Sequence, residues 1–193
     1  MLNKTTDLMH KTFNATGDRQ GWVRGWELRQ FGVNYRASPV ILDERYTDPN
    51  EPVDPYRSGD DKTAHAGDRA NDAPGLVWNG ERKRLFDFLD SVSHTLLFFC
   101  GEEPSTCVKD VLDSLSNHPG GAVKTILVYP QGNNSSKDLG TDYTLTDGDG
   151  YAYKHYDVKQ GQSWVVVIRP DGYIGAVVKG ASGLKHYFQL ILQ

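Results

Sequence analysis

The chain is poor in sulfur and has no long apolar stretch. Two cysteines, Cys100 and Cys107, among 193 residues cannot build a disulfide framework or by themselves a four-ligand zinc site. No uninterrupted apolar run is longer than WVVVI, residues 164–168, far below the roughly 20 residues that a membrane-spanning helix requires. Positive charge is not in excess either. With 21 basic and 25 acidic side chains the net charge is −4, a field that favours neither nucleic acid nor an anionic membrane. The opening MLNKTTDLMHKT contains no apolar block of the signal-peptide kind, so the expected compartment is cytoplasmic and the sequons at Asn3, Asn14 and Asn134 read as chance matches. The six histidines show no H-x-x-x-H or H-E-x-x-H spacing. Asp147-Gly148-Asp149-Gly150 lacks the further oxygen ligand and closing glutamate of a calcium loop, so no metal is expected.

What is present divides into three stretches. Residues 1–45 read as an arm, helical and then extended, in which Trp22, Val23, Trp26, Leu28 and Phe31 form a rough apolar stripe that the arm cannot bury alone. Residues 46–65 are rich in proline and aspartate and read as a linker. Residues 66–193 carry the periodicities of one packed domain. RLFDFLD (84–90) predicts a short helix with Leu85, Phe86 and Leu89 inward, and HTLLFFC (94–100) predicts a strand apolar on both faces. Cys107, Val108, Val111, Leu112 and Leu115 share a helical face opened by Pro104 and Ser105. VKTILVYP (123–130) predicts a second buried strand, which makes a βαβ crossover. Residues 163–178 predict two strands about Arg169-Pro170-Asp171-Gly172, and GLKHYFQLIL closes the chain as a helix with Leu184, Tyr187, Phe188 and Ile191 inward. A parallel βαβ, an antiparallel hairpin and a terminal helix follow one another in the thioredoxin order. The expected fold class is therefore α/β, a thioredoxin-like sandwich with a mixed central sheet behind a helical and extended arm.

The same stretches carry a family likeness. AGDRANDAPGLV, RLFDFLDSVSHTLLFF, VKTILVYPQG and VVVIRPDGYIG resemble the C-terminal thioredoxin-like domain of the FAD-dependent aromatic hydroxylases typified by fungal phenol 2-monooxygenase, and WELRQFGVNYRASPVILDER resembles the segment that leads into it. The resemblance implies a domain that is redox-silent and serves subunit contacts. It also implies a free-standing piece, because no G-x-G-x-x-G follows a strand anywhere in the chain to cradle a flavin pyrophosphate. No cofactor is expected.

Thiol chemistry of the thioredoxin kind needs sulfurs three positions apart, whereas Cys100 and Cys107 are seven apart, with Glu102 and Glu103 between them to raise a thiol pKa. Both cysteines therefore read as buried structural thiols. Proton-transfer candidates are Glu103 at the strand-to-helix turn, Tyr153 and His155 in YAYKHY, and Tyr35 and Arg36 in the arm. Alternation in YAYKHY would place Tyr151, Tyr153 and His155 on one side of an extended strand, although one or two helical turns fit there as well. Packing and ion pairing are the plain account of all these groups. The expected function is a redox-inactive contact or small-molecule-binding module of aromatic or polyketide secondary metabolism in a fungus, acting as a homodimer or beside a flavin monooxygenase. The alternative is a cofactor-free cyclase, isomerase or dehydratase acting on a phenolic or polyketide compound.

Overall fold

The two central strands, β4 (His94–Phe99) and β5 (Val123–Tyr129), are parallel and in register from His94 opposite Val123 to Phe99 opposite Val128. Both are buried on both faces over most of their length, which is why they read as continuous apolar runs. The computed structural model describes residues 33–46, 55, 63–101, 104–115, 122–132, 137–159 and 161–191. Helix α1 (Pro104–Leu115) makes the crossover between the two strands, with Val108 and Val111 fully buried as the helical stripe predicts.

Among the described residues a mixed eight-stranded sheet runs around this pair, in the order β1-β8-β7-β4-β5-β6-β2-β3. β7 (Trp164–Ile168) and β8 (Ile174–Val178) form the expected antiparallel hairpin about the Arg169–Gly172 turn, and β7 pairs antiparallel with β4. Leu96, Phe98, Leu127, Val165 and Val167 face α1 and the terminal helix α3 (Ala181–Ile191). Leu97, Phe99, Ile126, Val166 and Ile168 face the other way, where alanines of the 63–73 loop and the short helix α2 (Tyr151–His155) cover them.

Three elements depart from the sequence reading. Residues 84–90 do not form a helix: β3 (Glu81–Arg84) runs through Arg84, and only one 3-10 turn, Leu85–Asp87, follows. Asp87 caps the Arg84 amide and Asp72 takes the Phe86 amide, so Leu85 and Phe88 go inward while Phe86 stays exposed. β2 (Pro74–Trp78) pairs with β3 across Asn79 and Gly80, both at positive φ, and this Asn-Gly turn is the local signal that marks the hairpin. β6 (Tyr143–Asp147) continues the sheet beyond β5 in parallel, where the sequence shows only the end of a polar loop. Of the two readings left open for YAYKHY the helical one holds, as helix α2, Tyr151–His155.

The extended part of the arm adds to the sheet. β1 (Leu42–Asp43) pairs in parallel with Ala176 and Val177. The expected helix and tryptophan stripe of residues 1–32 lie outside the described residues.

Candidate functional site

The C-terminal ends of β4, β8 and β1 lie together at one rim of the sheet, and the strand-to-helix turn after β4 opens there. Gly101 leaves β4 with its amide donating to Ser163 Oγ at 2.9 Å. A Cβ on Gly101 would stand 2.5 Å from the Gly161 carbonyl oxygen, so only glycine admits this approach. Glu102 and Glu103 fall outside the described residues, and Thr106 is exposed on α1.

Tyr153 and His155 do not share a pocket. The Tyr153 hydroxyl donates to the carbonyls of Val128, at 2.8 Å, and Cys100, at 3.4 Å, so it serves backbone acceptors near the end of β5 and just past the end of β4. Burial, reinforced by the neighbouring Cys100, pushes its phenol well above the ordinary tyrosine range. One helical turn carries His155 back over Tyr151, ring centres 5.5 Å apart, with Nδ1 3.3 Å from the Asp72 carbonyl oxygen. Helix α2 is set by Asp147, which is fully buried and accepts the Tyr153 amide at 3.0 Å on Oδ2. Burial raises the Asp147 carboxyl above its usual range, against the opposing pull of the amides at the start of α2. Asp149 turns outward to Arg82, at 3.0 and 3.2 Å, so the two aspartates of the Asp-Gly-Asp-Gly turn point apart. Among the described residues no group of three or more histidine, cysteine or acidic side chains could hold a metal.

Tyr35 and Arg36 dock the arm. Arg36 makes a two-pronged ion pair with Asp68, Nε to Oδ1 at 2.8 Å and Nη2 to Oδ2 at 2.7 Å. The Tyr35 amide donates to the Gly67 carbonyl at 2.7 Å, and Gly67, at φ 93°, leaves no space for a Cβ against the Arg36 backbone. Nearby, Asp43 accepts Arg45 and the Ala66 amide, while Arg45 reaches the carbonyls of Tyr156 and Ala64 at 2.9 and 2.7 Å. These bonds are those of a docking cluster.

None of Tyr35, Arg36, Tyr153 or His155 lines either of two clefts among the described residues. The larger, about 700 Å³, lies at the rim between β1, β7 and β8, with Trp164, Lys159, Lys179 and Glu44 in its wall. Lys179 Nζ stands 5.9 Å from the Trp164 ring centre, and the Lys179 amide donates to Glu44 Oε2 at 2.7 Å. No residue of its wall is a glycine, so it lacks the close backbone approach that seats a pyrophosphate and does not fit a flavin dinucleotide. Sequence reasoning misses this cleft because its walls come from three distant segments with no shared local pattern.

Residues 122–193, from β5 to the C-terminus, match the family described as phenol hydroxylase, C-terminal dimerisation domain. No curated protein sequence matches the chain. Among solved structures, the flavin-dependent monooxygenase PieE, in complex with FAD and substrate, superposes with a TM-score of 0.54 at 19% identity, over 83% of this chain and 24% of that one. The chain thus spans about a quarter of that monooxygenase. The thioredoxin domain of a thiol-disulfide oxidoreductase from Bacteroides vulgatus gives 0.54 at 12% identity, covering 68% of this chain and 100% of that one. A thiol peroxidase from Chromobacterium violaceum gives 0.52 at 12%, covering 68% and 90%. At these identities the likeness is one of fold, and the fold is thioredoxin-like α/β as the element order predicts.

Proposed function

We propose that this chain is a subunit-contact module related to the C-terminal domain of phenol hydroxylase-type monooxygenases, and that it pairs with a second copy or with a flavin monooxygenase acting on aromatic compounds. The match of residues 122–193 to a dimerisation domain carries the reading. The described candidate groups support it, since the polar atoms of Tyr153, His155 and Arg36 bond to the fold itself. The edge strand β3 reads Glu-Arg-Lys-Arg, a charged edge that discourages strand addition. Contact is therefore not made by extending the sheet at β3. Sedimentation velocity across a concentration series is the test, with a dimer expected. A monomer at every concentration, together with no co-migration with a flavin monooxygenase from the same source, would overturn it.

A second reading draws on the cleft at the sheet rim, where the Lys179 ammonium stands over the Trp164 indole and Lys159 shares the wall. A cofactor-free enzyme acting by acid–base chemistry on a phenolic or polyketide compound would work there. Flavin-independent turnover of aromatic polyketides, lost in Lys179→Ala, would establish it in place of the first.

A further inference from the structure

Helices α1 and α3 cover one side of the sheet only in part. The apolar cluster they build with it takes side chains from β1, β4, β5, β7 and β8, and none from β2, β3 or β6. On β6 and β2 the alternate residues Tyr143, Leu145, Leu76 and Trp78 join the opposite cluster, so Thr144, Thr146 and Val77 point to the helix-bearing side. Val77, half-buried, belongs to neither cluster. Tyr129, Thr146, Val77 and Arg82 stand opposite one another on β5, β6, β2 and β3, and make one row across this end of the sheet. The smaller of the two clefts, about 440 Å³, lies here, with Val77, Thr144 and Thr146 beside Asp138, Thr141 and Asp142 of the loop before β6.

Charge is divided across this face. Arg82 ends the row at β3, its side chain 70% exposed, and its ion pair with Asp149 is a surface pair that contributes little. At the other end, about 14 Å away across three strand spacings, the Tyr129 hydroxyl donates to the Lys137 carbonyl and holds the acidic loop over β5. Asp138 and Asp142 of that loop are exposed. Asp138 accepts the Gly140 amide and Asp142 the amide and hydroxyl of Thr125, but neither meets a cation among the described residues. A guanidinium at one end and carboxylates at the other make the face complementary to its own copy turned about a twofold axis, the isologous arrangement in which one patch serves both partners.

We propose that a second copy of this chain seats on the open face of β6, β2 and β3, with Arg82 of each copy reaching Asp138 of the other. The inference rests on the subunit-contact reading and names the surface that serves it. The match to a dimerisation domain begins at residue 122 and so takes in β6 and the acidic loop. Valine and threonine side chains on a pleated face suit sheet-on-sheet packing, and the two Arg–Asp pairs fix its register. Three strands of four or five residues present about 240 Å² of plane, well short of the roughly 800 Å² that each partner of a stable pair buries. The Asn79-Gly80 tip and the 137–142 loop therefore join the contact, and the pair comes apart on dilution and in salt.

The test is sedimentation velocity on the full chain, with circular dichroism to show that each variant is folded. Arg82→Glu sets carboxylate against carboxylate and Asp138→Arg sets guanidinium against guanidinium, so each variant alone should be monomeric where the wild type is dimeric. Mixed in equal amounts they should form a one-to-one dimer, because both contacts then join opposite charges, and the double variant should dimerise by itself. If a reversed charge unfolds the chain, Arg82→Ala and Asp138→Asn decide, each weakening the dimer by about tenfold through the two pairs lost. A wild-type dimer that survives these changes overturns this surface and leaves the subunit-contact reading standing, as does a monomer that binds a flavin monooxygenase instead. Two monomeric variants that fail to pair when mixed also overturn it. A wild type that is monomeric and binds no such partner overturns the surface and the reading together.

Discussion

The hydroxyl end of Tyr187 on α3 stands against Gly175 in β8, so close that a Cβ on Gly175 would stand 2.6 Å from the ring carbon bearing the hydroxyl. That hydroxyl is buried without a hydrogen-bond partner among the described residues, and burial pushes the phenol up to about 12. α3 therefore seats on a notch that only glycine leaves open, while carrying a buried polar atom that no described residue bonds.

Tyr187→Phe removes that unpartnered oxygen and keeps the ring. Its denaturant midpoint should rise, by up to about 1 kcal/mol of stability. Gly175→Ala should lose about 2 kcal/mol, because the helix must back away. A fall in stability for Tyr187→Phe would show that the hydroxyl is solvated in solution.

The docked arm makes a second prediction. Arg36→Ala leaves the Asp68 carboxylate, whose side chain is 7% exposed, without its guanidinium, and should cost about 3 kcal/mol. The double variant Arg36→Ala, Asp68→Ala should cost less than the sum of the two single changes. Urea unfolding measures both, and strict additivity would show that the pair is not coupled.

Cys107 should alkylate with a rate that climbs through a midpoint near pH 7, since only the thiolate reacts. The groups acting on it are Cys100, which lowers its pKa, and Asp110 and burial, which raise it. In Cys100→Ala the midpoint should move up to about 8.5 or beyond. Iodoacetamide kinetics followed by mass spectrometry give both curves, and identical midpoints would remove Cys100 as the cause.

His94 sits half-buried at the start of β4, its ring 5.8 and 6.3 Å from those of Phe188 and Tyr187. Burial holds its pKa below the ordinary value, and Arg169 adds to this. Below about pH 6.5 the unfolded chain takes up the proton more readily than the folded one. The contribution of His94 is thus present above that pH and lost as the pH falls. Between pH 7.5 and 5.5 the wild type should lose more stability than His94→Gln, as urea midpoints at the two pH values will show.

The fold was legible where a segment is buried on its own account. β4, β5, β7, β8, α1 and α3 all announce themselves by apolar runs or stripes, because a strand covered on both faces must be apolar throughout. β3 and β6 stayed hidden since their side chains are largely exposed or half-buried and their pairing is decided by neighbours. The helix expected at 84–90 failed for a related reason: Arg84 is paired with Pro74 in the β2–β3 hairpin and the Leu85 amide donates to the Ala73 carbonyl, so a strand from a distant segment holds the start of the stretch extended.

Composition and local pattern determined by themselves that this chain builds one mixed α/β sheet, lacks a membrane-spanning apolar run, and carries two thiols and no dinucleotide fingerprint. Tertiary structure alone decided what those side chains meet. Tyr153 and His155 part because α2 turns 100° per residue instead of alternating. Arg36 finds Asp68 across 32 positions, and Cys107 finds the Lys179 carbonyl across 72. Such encounters are set by how strands and helices stack, and no window of sequence contains that distance.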